Sequence, residues 1–202
     1  MPAICSERSR PHFSTVQAST QTRSATRWPS FVWIRSLASI EACSVAELPL
    51  LTERELRFLR ELVNHQVRFL IVGLSAAALQ GAPVVTQDVD LWFGSLDDPR
   101  FTAALRSVGG AYVAATFHTP PMFAVEGLEL FNIVLGMSGL NSFDEEWANA
   151  IELTVGDVVT RVLPLTRILV SKRAANRPKD RLVVPVLEEV VALQAARSAG
   201  KS

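Results

Sequence analysis

Apolar residues along this chain change spacing several times, and each change marks an element. Thr52 and Glu55 have the separation of a capping box, and Leu56, Leu59, Leu62 and Val63 then recur at helical spacing to about Gln66. Arg68-Phe69-Leu70-Ile71-Val72 is a short apolar run closed by Gly73, the pattern of a buried strand. A short helix is predicted from Ser75 to Leu79, broken by Gly81-Ala82-Pro83. Asp88 to Phe93 reads as a second strand, whose alternation sets Asp88 and Asp90 on one face and Val89 and Leu91 on the other. Pro99 to Ser107 is expected to be helical.

Strands come next. Met122 to Val125 and Leu128 to Val134 flank Glu126-Gly127, which predicts a hairpin. Ser142 and Glu145 make a second capping box for a helix through Ala148. Ile151 to Val155 and Val158 to Leu163 are expected to pair across Gly156-Asp157. Thr166 is read as the cap of a helix carrying Lys172, and Asp180 opens a last helix interrupted near Pro185. Mixed strands and helices in this order predict an α/β or α+β domain, a small mixed β-sheet covered by helices.

Composition divides the chain near residue 46. Residues 1–40 carry Arg8, Arg10, Arg23, Arg27 and Arg35, no Lys and only one acid, Glu7, among many Ser and Thr. That profile fits a transit-like segment, a disordered extension or sequence upstream of the true start. A domain is expected over 47–198. Twenty basic and twenty acidic side chains cancel, so no global field marks the chain for nucleic acid, although a local patch can still bind it. Cys5 and Cys43 give no disulfide framework and no metal-ligand spacing, which suits a cytoplasmic protein. No apolar run nears the roughly 18 residues that suggest a membrane span.

The chemistry centres on Asp88 and Asp90. Carboxylates at i and i+2 on a strand project from one face, roughly 7 Å apart. That spacing suits shared coordination of Mg²⁺, which takes carboxylate oxygens together with substrate phosphates. An isolated Asp-x-Asp is equally a solvated strand end. Its context adds Gly73, where a strand gives way to a helix whose N–H groups can face a triphosphate.

Val72-Gly73-Leu74-Ser75-Ala76, then Gly81-Ala82-Pro83 and Thr86-Gln87-Asp88-Val89-Asp90-Leu91, resemble the minimal nucleotidyltransferases of the AbiEii toxin-like type. The similarity runs on through Gly139 and Phe143-Asp144-Glu145-Glu146-Trp147 to Ser171-Lys172-Arg173-Ala174-Ala175-Asn176-Arg177-Pro178-Lys179-Asp180. It covers about residues 52–195. The resemblance implies a nucleotidyltransferase-like fold and Mg²⁺-dependent transfer of a nucleoside monophosphate from an NTP to an RNA or protein hydroxyl. It also implies a toxin–antitoxin or phage-defence setting with a cognate antitoxin or partner protein. Carried across by position, Asp88 and Asp90 are the catalytic, metal-binding pair, and Gly73 and Ser75 contact phosphate. Lys172 and Arg177 are either charge-neutralising nucleotide contacts or a solvated basic helix end.

Four positions depart from that family's pattern. Leu74 replaces its second Gly, Gln80 its His, and Val84 its Arg; Asn132 stands where a third carboxylate is expected. An amide cannot take a proton from an attacking hydroxyl. Two functions therefore stay open: an active nucleotidyltransferase, or a catalytically impaired module of the same fold that binds a nucleotide or a partner. Glu129 is the nearest acid, but three positions along a strand turn it to the opposite face. Trp92 reads as core packing or as a base-stacking surface, and Asp180 as a helix cap or a partner of Arg177.

Overall fold

A computed structural model describes residues 51–200; the expectations for residues 1–46 lie outside the described residues. Helix α1 (Glu53–Asn64) starts at the Thr52–Glu55 capping box, in which the Thr52 Oγ accepts from the Glu55 N–H and the Glu55 carboxylate accepts from the Thr52 N–H. Its apolar stripe buries Phe58, Leu59 and Leu62. The chain then forms β1 (Phe69–Val72), α2 (Gly73–Leu79), β2 (Val89–Phe93), α3 (Pro99–Ser107), β3 (Ala111–Val113), β4 (Met122–Ala124) and β5 (Phe131–Val134). Next come α4 (Phe143–Ala148), β6 (Ile151–Val155), β7 (Val158–Val162), α5 (Leu165–Ala175) and α6 (Pro178–Ala199). The architecture is the mixed α+β arrangement that the pattern predicts.

Five strands form one sheet in the order β5-β2-β1-β7-β6. β1 is central, and all four of its residues are buried, as a continuous apolar run requires when both sheet faces are covered. It runs antiparallel to β2 and parallel to β7, while β2 and β5 are parallel. Phe58, Phe93, Phe101 and Phe123 pack edge-on or tilted beneath the sheet, with ring centroids 4.8–6.5 Å apart.

Three expectations change. Glu126-Gly127 does not join a hairpin: β4 pairs with β3 in a separate two-stranded sheet, whereas β5 joins β2. The turn chemistry is present, and Gly127 has φ +80°, but each flanking strand finds a better partner elsewhere. Thr166 lies inside α5, which begins at Leu165 after Pro164. Pro185 does not interrupt α6, a continuous 22-residue helix that accommodates the missing N–H.

Candidate functional site

The sheet register builds the acidic corner. Pairing of Val72 with Asp90 brings Gly73, the next residue, against the Asp90 side chain. Gly73 has φ +69°, and a Cβ there would collide with the Asp90 carboxylate. Only glycine both takes that turn cheaply and admits so close an approach. On the other edge of β2, parallel pairing sets Asn132 of β5 beside Asp90. The Asn132 amide nitrogen donates to Asp88 Oδ2 at 2.9 Å and to Asp90 Oδ1 at 3.4 Å. Thr86 holds Asp88 from the other side, its hydroxyl 3.1 Å from Asp88 Oδ1.

These groups open onto a cleft of about 700 Å³. Its opposite wall comes from the α5–α6 junction, with Ser171, Lys172, Arg177, Lys179 and Asp180. The loop carrying Gly136, Met137 and Ser138 closes a third side. That loop is tied to α5 at Gly139, φ +69°, where a Cβ would run into Ala174. The junction itself turns on Asn176, in the left-handed region at φ 46°, which asparagine tolerates better than most side chains.

Charge is distributed unevenly across the cleft. Asp180 is 1% exposed and accepts from Lys172 Nζ at 3.1 Å, from Arg177 Nε at 2.6 Å and from the Arg177 backbone N–H at 3.2 Å. It is thus both the cap of α6 and the clamp on two cations. Despite burial, these bonds pull its carboxyl down to about 2. Asp90 moves the other way: burial raises it above the ordinary aspartate value and the neighbouring Asp88 adds to the rise, against opposition from the Asn132 hydrogen bond and the charges of Lys172 and Lys179. Lys179 lines the cleft and makes no salt bridge among the described residues.

Of the residues singled out from sequence, Asp88, Asp90, Gly73, Lys172 and Arg177 all meet in this cleft. Ser75 does not. It is buried, and its hydroxyl donates to the Val72 carbonyl at 2.9 Å, bracing the β1–α2 turn behind Gly73. Leu74 does face the cleft, as a side chain where the family pattern has none. Gln80 serves the fold: its amide nitrogen donates to the carbonyls of Ala76 and Leu163 at 2.8 and 2.9 Å, and its oxygen accepts from the Leu165 N–H at 2.8 Å. Trp92 is 4% exposed and packs edge-on to Phe143, so it is a core residue. Glu129 turns away and accepts from the Gly127 N–H at 3.0 Å.

Sequence reasoning left out Thr86 and Lys179 as site residues. Both lie inside the family-like motifs, at Thr-x-Asp and Arg-Pro-Lys-Asp, so their spacing was the available signal.

The donor set suits one hard dication. Asp88 and Asp90 supply carboxylate oxygens of the kind Mg²⁺ accepts, leaving room for phosphate oxygens and water. Among the described residues, no group of three or more His, Cys, Asp or Glu is placed to hold a metal. No helix among them is long and apolar enough to cross a membrane.

No family model matches the chain, and no curated protein matches it in sequence. Among solved structures it is similar to ANT(2″)-Ia in complex with adenylyl-2″-tobramycin, at 15% identity and a TM-score of 0.46. The likeness covers 72% of this chain and 95% of that one. So slight a likeness adds no weight, and the function has to be read from the geometry of the cleft.

Proposed function

We propose that this cleft is the nucleotide site of an AbiEii-like nucleotidyltransferase domain, which transfers a nucleoside monophosphate from an NTP to an RNA or protein hydroxyl. The observation that carries the reading is the meeting of Asp88 and Asp90 with Lys172, Arg177 and Lys179 around one open cleft. Carboxylates for a metal on one wall and cations for phosphate on the other are the two halves that phosphoryl transfer needs.

In this reading Asp88 and Asp90 hold Mg²⁺, which when bound neutralises charge on the triphosphate. Lys179, with Lys172 behind it, faces the phosphates. Gly73 lets the backbone come close enough for the β1–α2 turn to lie against them. The acceptor oxygen bonds to the α-phosphorus, the bond from that phosphorus to the bridging oxygen of the β-phosphate breaks, and pyrophosphate leaves. The acceptor proton passes to water, because the third position is the amide of Asn132.

Incubating the protein with NTPs labelled at the α-phosphate, Mg²⁺, RNA and cell extract tests this. Label on an acceptor that vanishes in Asp88→Ala supports it; no labelled product with any nucleotide or acceptor preparation counts against transfer.

Asn132 favours a second reading, a module that binds a nucleotide or a partner without turnover. Under that reading, Mg²⁺-dependent nucleotide binding is retained and no product forms. Asn132→Asp is the informative variant, because product gained on substitution identifies the missing acid as limiting. A cytoplasmic toxin of a toxin–antitoxin or phage-defence pair is the setting we propose for either reading, and co-purification with the product of a neighbouring gene tests it.

A further inference from the structure

We propose that Asn132 gates the metal, so that Asp88 and Asp90 take up a divalent cation only together with a nucleotide. The inference rests on the nucleotide-site reading of the cleft. Asparagine offers one acceptor oxygen and one NH₂ group, and beside two carboxylates the NH₂ end must face them. It does so here, donating at 2.9 Å to Asp88 and 3.4 Å to Asp90. The hydrogens of that amide lie between the carboxylates that a cation would bridge. It acts as a built-in neutral stand-in for the ion, held in place by the parallel pairing of Asp90 with Asn132.

A cation entering alone must displace two charge-assisted hydrogen bonds and finds only two carboxylates in return. A cation arriving on a triphosphate brings phosphate oxygens that complete its shell, which is how Mg²⁺ is ordinarily held at such sites. Thr86 stays bonded to Asp88 throughout and keeps that carboxylate in place while the amide turns away. Asn132 is therefore a positioning residue for metal loading. This role differs from that of a ligand in the sign of one substitution: removing a ligand weakens metal binding, whereas removing a gate strengthens it.

Mn²⁺ is the probe, followed by loss of the free aqua-ion signal in electron paramagnetic resonance, with the full chain and with α,β-methylene analogues of ATP and GTP. Wild-type protein is expected to leave the Mn²⁺ signal intact without an analogue. With one, it is expected to remove more of the signal than the same analogue removes in the absence of protein, since a triphosphate itself chelates Mn²⁺. Asn132→Ala and Asn132→Asp are each expected to take up Mn²⁺ without nucleotide, about tenfold more tightly than wild type or better, since affinity follows ligand charge and access. Two unlike substitutions guard against a single misfolded variant, and circular dichroism checks each.

If wild type takes up Mn²⁺ alone as tightly as Asn132→Asp does, or if Asn132→Ala binds it no more tightly than wild type, the gate is wrong and the nucleotide reading stands. If none of the three proteins takes up Mn²⁺ with either analogue, the nucleotide reading fails and the gate falls with it.

Discussion

Two aspartate centres face each other across this cleft, and they are built on opposite principles. Asp180 is closed: 1% exposed, it receives Lys172, both side-chain and backbone groups of Arg177, and a depressed carboxyl value of about 2. Asp88 and Asp90 are open. Their only side-chain partners among the described residues are the uncharged Thr86 and Asn132, and Asp90 is raised rather than lowered. Glu146 repeats the closed design in α4, gripped by Arg167 and by the Asn141 N–H at 3.1 Å, and is likewise lowered. A folded chain normally compensates a carboxylate that it withdraws from water. Where it does so twice and leaves a third centre uncompensated in a cleft, that third centre is the place where an external cation would lower the energy.

The largest effect expected from this contrast is on stability. Asp180→Ala leaves Lys172, whose side chain is 12% exposed, without its partner and removes the cap of α6. Breaking such a pair costs about 3–5 kcal/mol, read as a lowered midpoint of urea unfolding. Arg177, half exposed, can return to water and softens the loss. A change below about 1 kcal/mol would mean that the closed centre is not structural.

Asp88→Asn and Asp90→Asn should show the reverse pattern. Each removes one of two adjacent negative charges, so the unfolding midpoint is expected to stay the same or rise. Nucleotide transfer, on the proposed function, should fall by about a hundredfold, on the order of 2.7 kcal/mol in the barrier. A loss of stability equal to that of Asp180→Ala would erase the distinction between the two centres.

Acid separates them a third way. Asp180 is lowered from 3.8 to about 2 by its partners, so its stabilising contribution is complete above about pH 4 and is lost as pH falls through about 2. The contribution is roughly 2–3 kcal/mol. Urea midpoints of wild type and Asp180→Asn, taken from pH 5 down to 2, should therefore converge as the acid protonates the wild-type carboxyl. Parallel curves would show that Asp180 is not held low by Lys172 and Arg177.

The open centre was more legible in the sequence than the closed one, for a physical reason. Strand alternation is local, so Asp88-Val89-Asp90 put both acids on one face without any knowledge of partners, and Thr52 with Glu55 marked the start of α1 in the same way. Asp180 was legible as the cap of α6 and the partner of Arg177. The Lys172 bond was not, because it crosses a helix junction set by the left-handed Asn176. Nor was the partnering of β4 with β3 and of β5 with β2, since Glu126-Gly127 supplies turn chemistry but not strand choice. Gln80 could be seen only as a lost histidine, while two of its three side-chain hydrogen bonds depend on Leu163 and Leu165, more than eighty residues away.

The smallest expected loss of stability tests whether fold and site share one residue. Gly73→Ala forces a side chain onto a backbone at φ +69°, which costs about 1–2 kcal/mol on conformational grounds alone. The new methyl would also press on the Asp90 carboxylate, which must swing away from β1. That second consequence has its own readout, because a displaced Asp90 can no longer share a cation with Asp88. Gly73→Ala should therefore lower the unfolding midpoint modestly and weaken uptake of Mn²⁺ with α,β-methylene ATP by more than the stability loss accounts for. Wild-type uptake in a destabilised but folded variant would show that Gly73 serves the turn alone. Weakened uptake would show that the β1–α2 turn and the acidic corner were built around the same missing Cβ.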